Sequence, residues 1–175
     1  MSQQHPVNAI LEAWNRLEQS YATETILPCN GSAAWAIGMV NARPFETLED
    51  LFATSDRVWS GLTPSDRQQA FDSHPRIGEH KAKAATERSL TWSAGEQSAA
   101  AMDATTEERL AAANKQYEQK FGRIFIVCAS GKTAAGMLAI LTARLANDAS
   151  TELNEAAEQQ RQITQLRLRK WLDIK

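Results

Sequence analysis

His74 stands in the stretch FDSHPRIGEH, directly before a proline and four residues before Gly78. Histidine is the side chain whose unperturbed pKa lies closest to neutrality, which makes it the commonest positioned acid or base. Pro75 fixes the backbone that follows it, and Gly78 permits a sharp turn nearby. A blander role exists at the same position. A histidine that ends a helix is favoured in its protonated form by the partial negative charge there, and composition and spacing alone favour that role.

A second group, Ser93, Glu96 and Gln97 in SAGEQ, offers a hydroxyl, a carboxylate and an amide. Such groups suit a small polar heterocycle with several donors and acceptors, because a site gains specificity by pairing each buried polar group. Taken alone, Glu96 reads as the third residue of a capping box opened by Ser93, reaching back to the backbone at a helix start. Arg161, Arg167 and Arg169 lie together near the end of the chain. A guanidinium there could hold a carboxylate through two hydrogen bonds, although a solvated basic face explains two of the three.

Other chemistries are weaker. SGKT at 130–133 follows an apolar run and precedes a helical pattern, but a phosphate-binding loop needs a glycine where Ile126 stands, so Lys132 reads as a solvated residue at a helix start. His5, His74 and His80 are the only histidines and none pair at helical spacing, so no metal site is expected. The tryptophans at 14, 35, 59, 92 and 171 read mostly as core.

The elements that must position these residues are helices. Val7, Ile10, Leu11, Trp14, Leu17 and Tyr21 recur at three- and four-residue spacings, the stripe of one amphipathic helix. Ser32 opens a second helix that must stop before Pro44. Thr47 opens a third, and Thr63 caps a fourth with Pro64 at its first position, running into Ser73. The stretch PRIGEHKAKAATERSLTW reads as a loop with one short helical turn. Two capping boxes, Ser93 with Glu96 and Thr105 with Glu108, predict helix starts, and Gly122 predicts the end of the second. RIFIVCA is buried or extended, and two long helices close the chain. The architecture predicted is all-α, a single-domain helical bundle over residues 1–175.

Composition agrees with an ordinary globular protein. Of 175 residues, 43% are hydrophobic and 23% charged, and a net charge of −2 argues against a large nucleic-acid footprint. Cys29 and Cys128 stand far apart, which points to a reducing compartment rather than a disulfide framework. The start MSQQHPVNAI lacks the pattern of a secretory leader, and no stretch approaches the roughly 18 apolar residues of a membrane span. A cytoplasmic protein without membrane partners is therefore expected.

Several motifs in order carry a resemblance: ARPF at 42–45, HPRIG at 74–78, SAGEQ at 93–97, NKQYEQKFGRIFIVCASGKTA at 114–134, and the closing RLAND and ITQLRL. Over nearly its whole length the sequence resembles the decarboxylases of 2-oxo-4-hydroxy-4-carboxy-5-ureidoimidazoline (OHCU), enzymes of purine breakdown that yield (S)-allantoin. The resemblance implies an all-α homodimer that uses no metal or organic cofactor. It implies His74 and Glu96 as the catalytic positions, with Ser93, Gln97 and the backbone around Pro75 and Ile126 lining the substrate pocket. The substrate arginine it implies is Arg167, with Arg144 of TARL as second choice. Where many members read FGFPF, this chain has FGRIF, so Arg123 and Ile124 replace an aromatic residue and a proline. Two readings of other classes compete. One is a helical interaction module in which His74 and Glu96 only cap helices, and the other is a nucleotide binder built on SGKT.

Overall fold

The computed structural model describes residues 8–77, 86–97 and 103–174. Among them there are nine α-helices, a 3-10 turn and no strand, so the fold is all-α as the sequence predicts. Gly78, His80 and Val7 lie outside the described residues.

The first amphipathic stripe is divided between two helices, α1 (Ala9–Asn15) and α2 (Gln19–Ile26). Arg43 explains the break: its Nη1 donates to the Trp14 and Leu17 carbonyls at 2.7 and 3.0 Å, satisfying groups that a continuous helix would have used itself. Glu18 then restarts the helix by accepting from the Ser20 N–H at 2.9 Å. Leu11 and Trp14 enter the core, but Ile10, Leu17 and Tyr21 end up exposed rather than on one buried stripe.

Local capping fixes the next three helices where the sequence places them. Ser32 opens α3 (Ala33–Asn41), Thr47 opens α4 (Leu48–Ser60), and Thr63 with Asp66 forms a capping box at α5 (Pro64–Asp72). Between α2 and α3, the 3-10 turn Leu27–Cys29 leads into Gly31, whose φ of +95° and missing Cβ let it lie against Ser73.

The SAGE prediction fails in its register. Helix α6 spans Glu87–Gln97, taking in part of the predicted loop, and Ser93 and Glu96 sit in its last turns rather than at its start. Thr86 is the residue that opens it, its hydroxyl accepting from the Ser89 N–H at 3.1 Å. Likewise Asp103, not Thr105, caps α7 (Ala104–Phe121), accepting from the Thr106 N–H at 2.7 Å. Gly122 ends α7 in the left-handed conformation, as predicted.

Residues 124–129 belong to no helix or sheet, and all six are buried. Their side chains alternate, with Ile124, Ile126 and Cys128 packing into one hydrophobic cluster and Phe125, Val127 and Ala129 into the other. Side chains supply the backbone partners a sheet would have given. Arg144 Nη1 donates to the Ile126 carbonyl at 2.7 Å, the Cys128 N–H donates to Gln159, and Lys132 Nζ donates to the Cys128 carbonyl at 2.7 Å. Lys132 is therefore spent within its own loop rather than solvated, and Thr133 caps α8 (Ala134–Arg144).

Helix α9 (Ala149–Trp171) packs against α4, α5 and the 3-10 turn. Four of the tryptophans, 14, 35, 59 and 171, are buried core, and Trp92 is half-buried against it.

Candidate active site

His74 follows the last turn of α5, its backbone N–H donating to the Phe71 carbonyl at 3.1 Å. The ring turns inward and is only 9% exposed. Its Nε2 lies 2.8 Å from Oε1 of Gln160 on α9. Burial, followed by the positive charge of Arg167, pulls the imidazole down to about 3, against a smaller opposing effect of the Gln160 bond. A ring that is neutral and aimed at α9 is not the protonated cap of α5. Downstream, Arg76 anchors the segment by a two-point ion pair with Glu118 of α7, one contact at 2.8 Å.

Ser93, Glu96 and Gln97 are three and four residues apart on α6 and so share a face. Glu96 does not reach back to its own helix. Its carboxylate accepts from Arg167 Nε at 3.1 Å and Nη2 at 3.2 Å, and from Lys170 Nζ at 3.3 Å. Arg167 Nη2 also donates to Ser93 Oγ at 2.8 Å, and Nη1 to the Pro28 carbonyl at 3.3 Å. Charge-assisted, bidentate bonding of this kind outweighs the weaker capping contact. Arg167 is wholly buried, and the Glu96 side chain is 8% exposed.

These elements frame a small, partly open cavity lined by His74, Pro75, Ser93, Glu96, Gln97 and Ile126. Six of the seven site residues expected from the sequence thus share one wall. The seventh, Arg167, stands behind that wall and holds two of its members. An apolar side made by Ile77, Phe125, Val127, Ala129 and Ile163 completes the cavity. The sequence reading names none of these five as a site residue. Gln160 was missed altogether, because nothing in its sequence neighbourhood distinguishes it from the other glutamines of α9.

The remaining arginines are occupied elsewhere. Arg144 donates to Glu152 at 2.9 Å, besides its bond to Ile126, and Glu152 also accepts from Tyr117 and from Asn147 at 2.8 Å. Within RLAND, Arg144 and Asn147 thereby serve a structural network centred on the buried Glu152, and Arg144 ties it to the cavity wall through Ile126. Arg161 pairs with Asp56 and Glu158, and Arg169 lies over the Phe52 ring.

Among the described residues there is no cluster of three or more metal-ligating side chains, and no helix is long and apolar enough to cross a membrane. What the cavity offers is a neutral imidazole, a carboxylate, a hydroxyl and an amide facing an apolar wall. That set can bind a compact polar ring and move a proton without bulk water.

A family model described as OHCU decarboxylase matches residues 15–169. The chain belongs to the OHCU decarboxylase family. Among its relatives, the uric acid degradation bifunctional protein TTL of Arabidopsis thaliana is 36% identical over 144 residues, covering 81% of this chain and 44% of the plant protein. The chain therefore spans less than half the length of that bifunctional relative. The 2-oxo-4-hydroxy-4-carboxy-5-ureidoimidazoline decarboxylase of Amia calva is 30% identical, with 81% of this chain and 78% of that protein covered. A crystal structure of OHCU decarboxylase in the presence of (S)-allantoin superposes with a TM-score of 0.74 at 33% identity, covering 90% of this chain and 99% of the other.

Proposed function

We propose that this member of the OHCU decarboxylase family converts OHCU to (S)-allantoin and CO2, with His74 and Glu96 as the catalytic pair. The observation that carries the reading is the convergence of His74, Ser93, Glu96 and Gln97 on one cavity in a chain of this family.

OHCU carries its carboxylate on a ring carbon that also bears a hydroxyl and adjoins a C=N bond. When the C–CO2 bond breaks, its electron pair forms a C=C bond and the C=N pair moves to nitrogen, which takes up a proton. The substrate supplies its own electron sink, so the reaction calls for no organic cofactor. The enol then becomes a carbonyl as the carbon bearing the ureido group is protonated. A single enantiomer requires that proton to arrive at one face, so the intermediate must be held in one orientation away from water.

In this reading His74 hydrogen-bonds the substrate hydroxyl or carboxylate and assists loss of CO2. Glu96 orients the ring and ureido N–H groups, with Ser93, Gln97 and the backbone at Pro75 and Ile126 as further contacts. Arg167 acts by fixing Ser93 and Glu96, and its positive charge lies behind the wall where the substrate's carboxylate would bind. The reading extends to one domain acting as a homodimer in a reducing, cytoplasmic setting, where the buried free thiols of Cys29 and Cys128 persist.

The test generates OHCU from urate with urate oxidase and hydroxyisourate hydrolase and follows circular dichroism after the protein is added. Accelerated loss of OHCU with build-up of optically active allantoin is expected. His74→Ala should reduce the rate by roughly 10²- to 10⁴-fold. A rate equal to the uncatalysed decay with folded wild-type protein would refute the proposed activity, and near-normal turnover by His74→Ala would refute the assignment of His74.

A further inference from the structure

Behind His74 runs a chain of buried polar side chains. Gln160, Asn30 and Thr164 are each 2% exposed or less, although none lines the cavity. The hydrogen bonds between them leave no choice of direction. Thr164 Oγ1 donates to the Gln160 backbone carbonyl at 2.9 Å, so it can only accept from its other neighbours. It accepts from Asn30 Nδ2 at 3.0 Å and from Gln160 Nε2 at 3.3 Å. Gln160 Nε2 also donates to the Asn30 backbone carbonyl at 3.3 Å, which has no proton to give. Asn30 is itself held the right way round, because its Oδ1 accepts from the Ser32 N–H at 3.1 Å.

With its nitrogen committed to two acceptors, the Gln160 amide turns its oxygen to the histidine, 2.8 Å from Nε2. An amide oxygen only accepts. The proton of the bond must therefore sit on His74 Nε2, and in a neutral imidazole the other nitrogen is then bare. Nδ1 makes no hydrogen bond among the described residues. Nε2 is turned to Gln160, which does not line the cavity, so the remainder of the ring is the part that lines it.

We infer that Gln160 is a positioning residue that locks His74 as its Nε2–H tautomer and presents Nδ1 to the substrate as the proton acceptor. Nδ1 takes the hydroxyl proton of the enol, and the imidazolium formed gives that proton to the carbon bearing the ureido group, so that the C=C bond is lost as the carbonyl forms and the ring returns to neutral. The Nδ1–H tautomer would need the Gln160 amide flipped, with its oxygen against two acceptors, the Asn30 carbonyl and Thr164 Oγ1. This inference rests on the reading of His74 as a catalytic group.

The test is 15N NMR of histidine-labelled protein at neutral pH, with the His74 signals identified by their absence in His74→Gln. Wild type should show a pyrrole-type Nε2 and a pyridine-type Nδ1. In Gln160→Met the two tautomers should interchange, and kcat should fall at least about tenfold with KM changed less than threefold. Gln160→Glu, whose buried carboxyl in its neutral form keeps an acceptor at Nε2 and donates to the Asn30 carbonyl, should restore the Nε2–H form.

An Nδ1–H or doubly protonated ring in wild type would overturn the inference, as would an Nε2–H ring and undiminished kcat in Gln160→Met. If Gln160→Met fails to fold, the wild-type tautomer and Gln160→Glu decide. Failure of the underlying reading looks different: His74→Ala would turn over normally whatever tautomer wild type shows.

Discussion

Lowering the pH from 7.5 to 5.5 should destabilise the protein through His74 in particular. The imidazole's ordinary value of 6.5 falls to about 3 in the folded state, first through burial and then through Arg167. The unfolded chain therefore binds this proton before the folded chain does. Stability from the neutral ring is fully present above about 6.5, declines as the pH falls, and is lost completely only below about 3. At about 1.4 kcal/mol per pKa unit, going from pH 7.5 to 5.5 removes roughly 1 to 2 kcal/mol, and going to 4.5 roughly 2 to 3 kcal/mol. Urea unfolding of wild type and His74→Gln at these three pH values isolates the effect, since all other groups titrate in both proteins. The free energy of wild type should fall by those amounts more than that of the variant. Parallel losses would mean that the folded ring titrates normally, and the argument from burial would be refuted.

Glu96→Gln should lower turnover by roughly 10²- to 10⁴-fold and also destabilise the fold by about 3 to 5 kcal/mol, because it leaves the wholly buried Arg167 without its carboxylate. Steady-state kinetics and urea unfolding on the same preparation check both. Arg144→Met strands the fully buried Glu152 in the same way; the expected loss of about 3 to 5 kcal/mol corresponds to a Tm lower by roughly 6 to 20 °C, read by calorimetry. Gly31→Ala would place a Cβ 2.2 Å from Ser73 Oγ at a φ of +95°. A stability loss of about 1 to 3 kcal/mol is expected, with reduced turnover because Asn30 and His74 adjoin the two residues forced apart.

Elements whose signals lie within about four residues were legible in the sequence. Ser32, Thr47, Thr63 with Pro64, and Gly122 all act on their own helix ends, and each stands where expected. Two of the errors arose where a distant residue decides. The single helix expected through Tyr21 is broken by Arg43, which arrives from beyond α3 to take its carbonyls. Ser93 and Glu96 have the spacing of a capping box, but Arg167, 71 residues further along the chain from Glu96, claims the carboxylate. Asp103 and Thr105 are both good caps two residues apart, and only the doubled bond of Asp103 to Thr106 decides between them. His74 and Glu96 were separated from their structural roles by resemblance rather than by residue type, and Gln160 became visible only through its partners.

The ties that shape the cavity also set the order in which the molecule can assemble. His74 meets Gln160 across 86 positions, Asn30 meets Thr164 across 134, and Glu96 meets Arg167 across 71. Closing such long loops is entropically slow, whereas the locally capped helices need no distant partner. In refolding, helical signal should return ahead of catalytic competence, which waits for α9 to dock between the 3-10 turn and α6. A molecule bound in the cavity, gripping His74 and α6 at once, should then slow escape of the final helix, to which both are tied.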